Sequence, residues 1–214
     1  MTQPTEKIKN LLVLIPVFGI TVFVVLYIFA TLQYPGGSQV DKTSVGFSWV
    51  NNYWCNLLNE TAINGQLNPA KPVAMAGMFV LCLTLIFFWF LFPKRININR
   101  ILRLVIQISG TLAMTIAFLL FSNINHDVIT NLASIFGLIA TIGVYIGLYK
   151  ARWLGLFTFG LLNILLVVAN NYVYYTKGLI IYLPVIQKIS FAAFLSWICC
   201  IDINLFRMTQ KNSH

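Results

Sequence analysis

Acid–base chemistry in this chain could rest on two adjacent residues, His126 and Asp127, which precede a long apolar run. An imidazole titrates near neutral pH, so His126 is a candidate general base or metal ligand. Asp127, Glu60 and Asp41 are the carboxylates that could orient its ring. The alternative is structural: His126 is an interfacial histidine bonded to a neighbour, and Asp127 caps the helix that follows.

A second set of polar side chains could bind a ligand without transforming it. Lys188 is a candidate anchor for an anionic head group, because its ammonium donates charge-assisted hydrogen bonds. The other candidates for ligand binding are four amides, one carboxylate and one indole: Asn52, Asn56, Asn170, Asn171, Asp41 and Trp54. For Trp54 the alternative role is an aromatic anchor at the membrane interface.

The sequence offers little for a metal centre. Its four cysteines, Cys55, Cys82, Cys199 and Cys200, show no CxxC or Cys/His metal spacing. Only two histidines are present, and the second is the last residue, so one chain cannot supply three histidines to a catalytic zinc. We therefore predict no metal site, and no motif indicates a particular cofactor.

Composition places the chain in a membrane. Hydrophobic residues make up 59% of it and charged residues 9%, and the mean hydropathy is +0.83. These values lie far outside the range of soluble domains. The net charge of +9 arises from short basic clusters beside apolar runs, a pattern that favours membrane orientation over nucleic-acid binding.

Six apolar runs are long enough to cross a bilayer core of about 30 Å. We predict an all-α, polytopic membrane protein that forms one domain over residues 1–214. The predicted spans cover residues 11–32, 72–92, 101–121, 128–149, 154–175 and 185–206. Polar and small residues recur along the last four spans, and Gly143 and Gly147 suggest a close helix contact.

An even number of spans puts both termini on one side, and basic residues indicate which side. Ten of them fall on the side of the termini: Lys7, Lys9, Lys94, Arg95, Arg100, Arg103, Lys150, Arg152, Arg207 and Lys211. Four fall on the other: Lys42, Lys71, Lys177 and Lys188. The positive-inside rule then predicts cytoplasmic termini in a cell (inner) membrane. We further predict that Asp202, near the cytoplasmic end of the last span, pairs with Arg207 or with the Arg95, Arg100 and Arg103 cluster.

The long connection between the first two spans would lie outside. Within it, apolar residues from Val45 to Glu60 recur at helical spacing, which predicts an amphipathic helix of about four turns. This helix could cover the outer ends of the bundle as a lid. Alternatively, it could lie flat on the bilayer.

Four segments carry a family resemblance: YPGGS from Tyr34, GFSWVNNYWCNLL from Gly46, NGQLNPAKPVAMAGM from Asn64 and INHDVITNLASIFG from Ile124. Together they resemble the prokaryotic membrane family known as domain of unknown function 998, which is distantly similar to six-span proteins of the Frag/DRAM/Sfk type. The resemblance implies six helices and a connection with lipid remodelling or organisation, but it brings no catalytic residues. His126 matches the family's histidine, whereas Asn56 stands where the family tends to have an aspartate.

Three classes of function remain open. The first is a protein that binds or modifies a lipid or amphiphile in a polar pocket at the outer leaflet, and as an enzyme it would be a hydrolase or transferase. The second is a non-catalytic protein that organises the membrane or binds a partner. The third is a small transporter, which is disfavoured because the spans show no paired helix breaks.

Overall fold

The computed structural model describes residues 11–119 and 126–211, with only the backbone at residues 126, 127 and 211. Six α-helices follow in order: α1 (Ile15–Gln33), α2 (Lys71–Arg95), α3 (Arg100–Phe118), α4 (His126–Lys150), α5 (Leu154–Tyr175) and α6 (Leu183–Lys211). Short 3-10 helices cover Leu12–Leu14, Trp54–Leu58 and Ile180–Tyr182. The described residues contain no β-strand, only two isolated bridges, Gly36–Val45 and Thr61–Leu67. The all-α prediction is confirmed.

All six predicted spans are confirmed as helices that are long and apolar enough to cross a membrane. Their ends differ from the prediction by a few residues. The largest difference is at α6, which continues beyond the predicted end at residue 206 to Lys211. Smaller differences occur at α2, which continues through Pro93 to Arg95, and at α3, which ends at Phe118. Pro93 donates no helical hydrogen bond, and α2 ends two residues after it. The side chain of Asn99 then caps α3 by accepting a hydrogen bond of 2.8 Å from the amide of Leu102.

The described chain divides into two compact units. Unit 1 holds residues up to 21, residues 79–159 and residues from 196 onward. Unit 2 holds residues 22–78 and 160–195, including the first loop, which we define as residues 34–70. The divisions fall inside α1, α2, α5 and α6. The single domain over residues 1–214 stays a prediction.

In unit 1, helices approach closely at glycines. A Cβ atom added to Gly143 of α4 would lie 2.5 Å from Cγ1 of Ile106 in α3, and one added to Gly147 would lie 2.6 Å from Cδ1 of Ile96. Such distances leave no room for a side chain. The small-residue contact predicted at Gly143 and Gly147 is therefore present.

In unit 2, the predicted four-turn amphipathic helix is wrong in extent. Of the segment Val45–Glu60, only Trp54–Leu58 is helical, as a short 3-10 helix. Asparagine side chains explain the difference: Asn52 Oδ1 accepts from the amide of Ser48 at 2.8 Å, and Asn56 Oδ1 accepts from the amide of Tyr53 at 2.7 Å. These local bonds compete with helical hydrogen bonds for the backbone, so a periodic apolar pattern did not produce a regular helix.

Candidate functional site

The first loop has a tertiary structure of its own, built from asparagine amides. The Asn52 side chain is fully buried and donates to the carbonyl of Gly37 at 2.8 Å, across fifteen residues of sequence. Asn68 donates to three carbonyls around the 3-10 helix, those of Asn56, Leu57 and Asn59, at 2.9–3.3 Å. The predicted ligand-binding amides of Asn52 and Asn56 thus have partners within the loop itself.

An aromatic cluster fixes this loop to helices of unit 2. The indole ring of Trp54 lies 5.4 Å from the ring of Tyr27 and 6.1 Å from that of Phe23, both on α1. It also meets Phe191 of α6 edge-on at 5.3 Å. The ring of Trp54 therefore packs against other aromatic rings. Its Nε1 is buried and has no hydrogen-bond partner among the described residues.

Lys188 joins α6 to the same loop. Its Nζ donates to the backbone carbonyl of Asn52 at 2.5 Å and to that of Pro184 at 2.9 Å, and it lies 5.9 Å from the ring centroid of Phe47. The side chain is half-buried. Within the described part of the chain, no carboxylate forms an ion pair with it. The described contacts of its ammonium are thus with neutral carbonyl oxygens and an aromatic face.

The two carboxylates of the loop have local partners. Asp41 accepts hydrogen bonds from the hydroxyl and the amide of Thr43, at 2.7 and 2.8 Å, and these bonds lower the pKa of Asp41. Glu60 forms an ion pair of 3.0 Å with Lys71 at the start of α2. Both contacts stabilise turns of the loop.

The predicted catalytic pair lies outside the described side chains. The structure gives His126 and Asp127 as the first two residues of α4 and says nothing of their side chains. Catalysis by His126 with Asp127 or Glu60 stays a prediction. In the described ranges, no three His, Cys, Asp or Glu side chains group together in a way that could hold a metal ion.

The side chains of Asn170 and Asn171, both on α5, have different hydrogen-bond partners. The Nδ2 of Asn170 donates to the carbonyl of Leu166 at 3.0 Å and to the hydroxyl of Ser190 on α6. Its Oδ1 is buried and has no partner among the described atoms. Asn171 is exposed and donates only to Val167 of its own helix, at 2.9 Å. The structure therefore brings Asn170, and not Asn171, to the part of α6 that carries Lys188.

Unit 1 contains a cleft that sequence reasoning missed. It has a volume of about 630 Å³, and its walls come from residues 152–156 and from the last turns of α6. The sequence signal was present in the basic KARW link, but those residues were used only to orient the chain. Arg152 and Arg207 both line the cleft.

The predicted ion pair of Asp202 is not formed. Asp202 is fully buried, and neither of its carboxylate oxygens has a hydrogen-bond partner among the described residues. Arg207 follows five residues later on α6, which places it roughly 140° around the helix from Asp202. The arginine faces the cleft instead.

Six apolar helices define the class: this is an integral membrane protein. Comparison with known protein families, curated proteins and solved structures finds no match to the chain. The likeness to the family of domain of unknown function 998 stays a prediction.

Proposed function

We propose that this membrane protein binds an amphiphile with an anionic head group at Lys188 of unit 2. The observation that carries the proposal is the unneutralised ammonium of Lys188. Two of its three N–H donors are used on the carbonyls of Asn52 and Pro184, which leaves one for a ligand. A half-buried charge without a counter-ion is unfavourable, so an anion beside it would gain both the ion pair and the hydrogen bond.

The surroundings of Lys188 suit an amphiphile. Phe47 and Trp54 present aromatic surface in the same unit, and Tyr53 is half-buried, which raises the pKa of its phenol. The Oδ1 of Asn170 is an acceptor without a described partner. Tryptophan and tyrosine side chains are typical of the depth of lipid head groups.

The distribution of basic residues supports an outward orientation of the loop. The described lysines of unit 2 are four, Lys42, Lys71, Lys177 and Lys188, and eight described lysines and arginines belong to unit 1. By the positive-inside rule, unit 1 carries the cytoplasmic ends of the spans. We therefore assign the amphiphile to the outer leaflet of the cell membrane.

A charge-neutral variant tests this assignment. The purified protein would be reconstituted in phosphatidylcholine nanodiscs, and binding of added phosphatidylglycerol would be measured by native mass spectrometry. Lys188→Gln keeps a donor near Asn52 and removes the charge, and we expect it to weaken binding by about tenfold or more, as for loss of one charge-assisted bond. Lys177→Gln is the matched control, since Lys177 is an exposed lysine of the same unit.

A third variant tests whether the charge is what matters. Lys188→Arg keeps the positive charge and should retain binding. Equal affinity in the Lys188→Gln, Lys177→Gln and unmodified proteins would overturn the proposal.

A second candidate function, binding of a partner protein, is favoured by apolar side chains on the loop surface. Val45 is 96% exposed and Leu67 79%, and half of the Trp49 side chain is exposed. Site-specific photocrosslinkers at Val45 and Leu67, used in intact membranes, would detect such a partner. A protein adduct that Trp49→Ala removes and Lys188→Gln retains would support the partner; adducts to lipid alone would refute it.

A further inference from the structure

We propose a second lipid site, distinct from Lys188: the cleft of unit 1 binds the phosphate of an anionic phospholipid between Arg152 and Arg207. The walls of the cleft come from two places in the sequence. One is the connection from α4 into α5, and the other is the last turns of α6. Its lining residues are Arg152, Trp153, Leu154, Gly155, Leu156, Cys200, Ile203, Asn204, Arg207 and Met208.

Three polar side chains in this cleft have no partner in the described structure. The guanidinium groups of Arg152 and Arg207 form no ion pair or side-chain hydrogen bond with a described residue, and the same holds for the amide of Asn204. Two guanidinium groups and an amide supply only hydrogen-bond donors and one amide oxygen. Arginine forks match phosphate oxygens in pairs, which makes phosphate the group that this set fits.

The start of α5 adds donors to the same cleft. Arg152 adopts a left-handed backbone conformation, with φ of 57°, and α5 begins two residues later. The first amides of a helix have no carbonyl partner within it, and they carry the positive end of its dipole. Trp197 of α6 donates to the carbonyl of Leu156 at 2.8 Å, which fixes this first turn against α6. The cleft is open beside Gly155, since a Cβ added there would meet nothing within 4 Å.

Apolar walls point to a lipid rather than to a soluble phosphate. Leu154 is 59% exposed and Met208 43%, and both belong to helices apolar enough to span a membrane. An acyl chain could lie against them while its phosphate meets the arginines. Trp153 has the amphipathic ring that is typical of the interface between head groups and acyl chains.

The charge of unit 1 favours the same ligand. Its lysines and arginines with described side chains are Lys94, Arg95, Arg100, Arg103, Lys150, Arg152 and Arg207. Its single acidic side chain within the described set, Asp202, is fully buried. The exposed charged side chains described in unit 1 are therefore all basic, and each basic residue near the surface adds to the attraction for an anionic leaflet.

Lipid binding to the full-length protein in nanodiscs tests the site. Phosphatidylcholine nanodiscs with and without phosphatidylglycerol would be compared by native mass spectrometry, which counts lipids retained per protein. The double variant Arg152→Gln/Arg207→Gln should lose the one phosphatidylglycerol that the cleft retains, because two charge-assisted contacts are lost, and should keep the lipid at Lys188. Arg100→Gln is the control, since it removes an exposed arginine of the same unit that does not line the cleft.

Further variants make each outcome decisive. Gly155→Leu fills the cleft without changing charge and should remove the same lipid as the double variant, whereas Lys188→Gln should leave the lipid in the cleft in place. If only Lys188→Gln lowers the lipid count, the present proposal fails and the proposed function stands; if only the cleft variants do, the reverse holds. Displacement of the lipid by millimolar inorganic phosphate would identify a free phosphate as the ligand, and an unchanged count in the double variant would overturn the site.

Discussion

The two units bury their polar groups by different means. In unit 1, helices meet through glycines and large apolar side chains, and most charges stay at exposed positions. In unit 2, the first loop is held by buried side-chain amides that bond distant carbonyls, as Asn52 does with Gly37 and Asn68 with Leu57. Helix packing of the first kind follows from periodicity and small residues, whereas the second kind depends on single polar side chains.

The units also differ in how they use charge. The acidic residues of unit 2 lie in the loop and have nearby partners: Asp41 accepts hydrogen bonds from Thr43, and Glu60 pairs with Lys71 at the start of α2. Lys188 is half-buried and forms no ion pair with a described carboxylate, and its charge marks the proposed site. In unit 1 the arginines of the cleft have no described partners, so charge there is available to a ligand rather than to the fold.

The largest effect should come from Gly37 in the loop. Its φ is +80°, and an added Cβ would lie 2.3 Å from the backbone nitrogen of Asn64. Gly37→Ala combines a left-handed alanine, which costs about 1–2 kcal/mol, with an overlap that costs about 1–3 kcal/mol. We expect rapid amide hydrogen exchange and proteolysis throughout residues 34–70.

Gly65→Ala is the control for backbone strain alone. Gly65 has a similar φ of +83°, but a Cβ there would meet nothing within 4 Å. If the two variants expose the loop equally, the close packing of Gly37 against Asn64 contributes nothing.

A smaller but global effect should follow from Gly110→Ala in unit 1. A Cβ added to Gly110 would lie 2.2 Å from Cγ of the buried Trp89 ring. Overpacking of this kind costs about 1–3 kcal/mol and should lower the melting temperature of the protein in detergent. Gly137→Ala is the control, because its Cβ would make only an ordinary contact of 3.8 Å with Ala113. Equal melting temperatures for both variants would mean that α2 and α3 can move apart at Gly110 without loss of stability.

This contrast explains what could be read from the sequence. The six spans follow from hydropathy, and the contacts of Gly143 and Gly147 follow from helical spacing, because both depend on local pattern. The shape of the first loop does not, since the partner of Asn52 lies fifteen residues away and that of Lys188 more than a hundred. Lys188 was predicted from its charge and its place on the outer side, and the Arg152–Arg207 cleft was missed because it joins the α4–α5 connection to the last turns of α6.

The smallest effect concerns the thiol of Cys55, whose side chain reaches the surface while dense protein surrounds it on other sides. This desolvation raises the pKa of Cys55, and the nearby charge of Lys188 opposes the rise. At a given pH near neutrality, a raised pKa lowers the thiolate fraction, so a small maleimide should alkylate Cys55 more slowly than it does an unhindered thiol. The alkylation rate should continue to increase with pH above the range in which an unperturbed cysteine thiol ionises.

Lys188→Gln should slow this alkylation further, because it removes the cation that favours the thiolate. The change should be less than about tenfold, the factor that corresponds to one pKa unit. The measurement requires variants that retain Cys55 alone, with alanine at Cys82, Cys199 and Cys200, and Lys177→Gln provides the matched control. Faster alkylation in Lys188→Gln would mean that the loop opens without the Lys188–Asn52 bond. Lys188 would then stabilise the fold of the loop, and this role would outweigh the effect of its charge on Cys55.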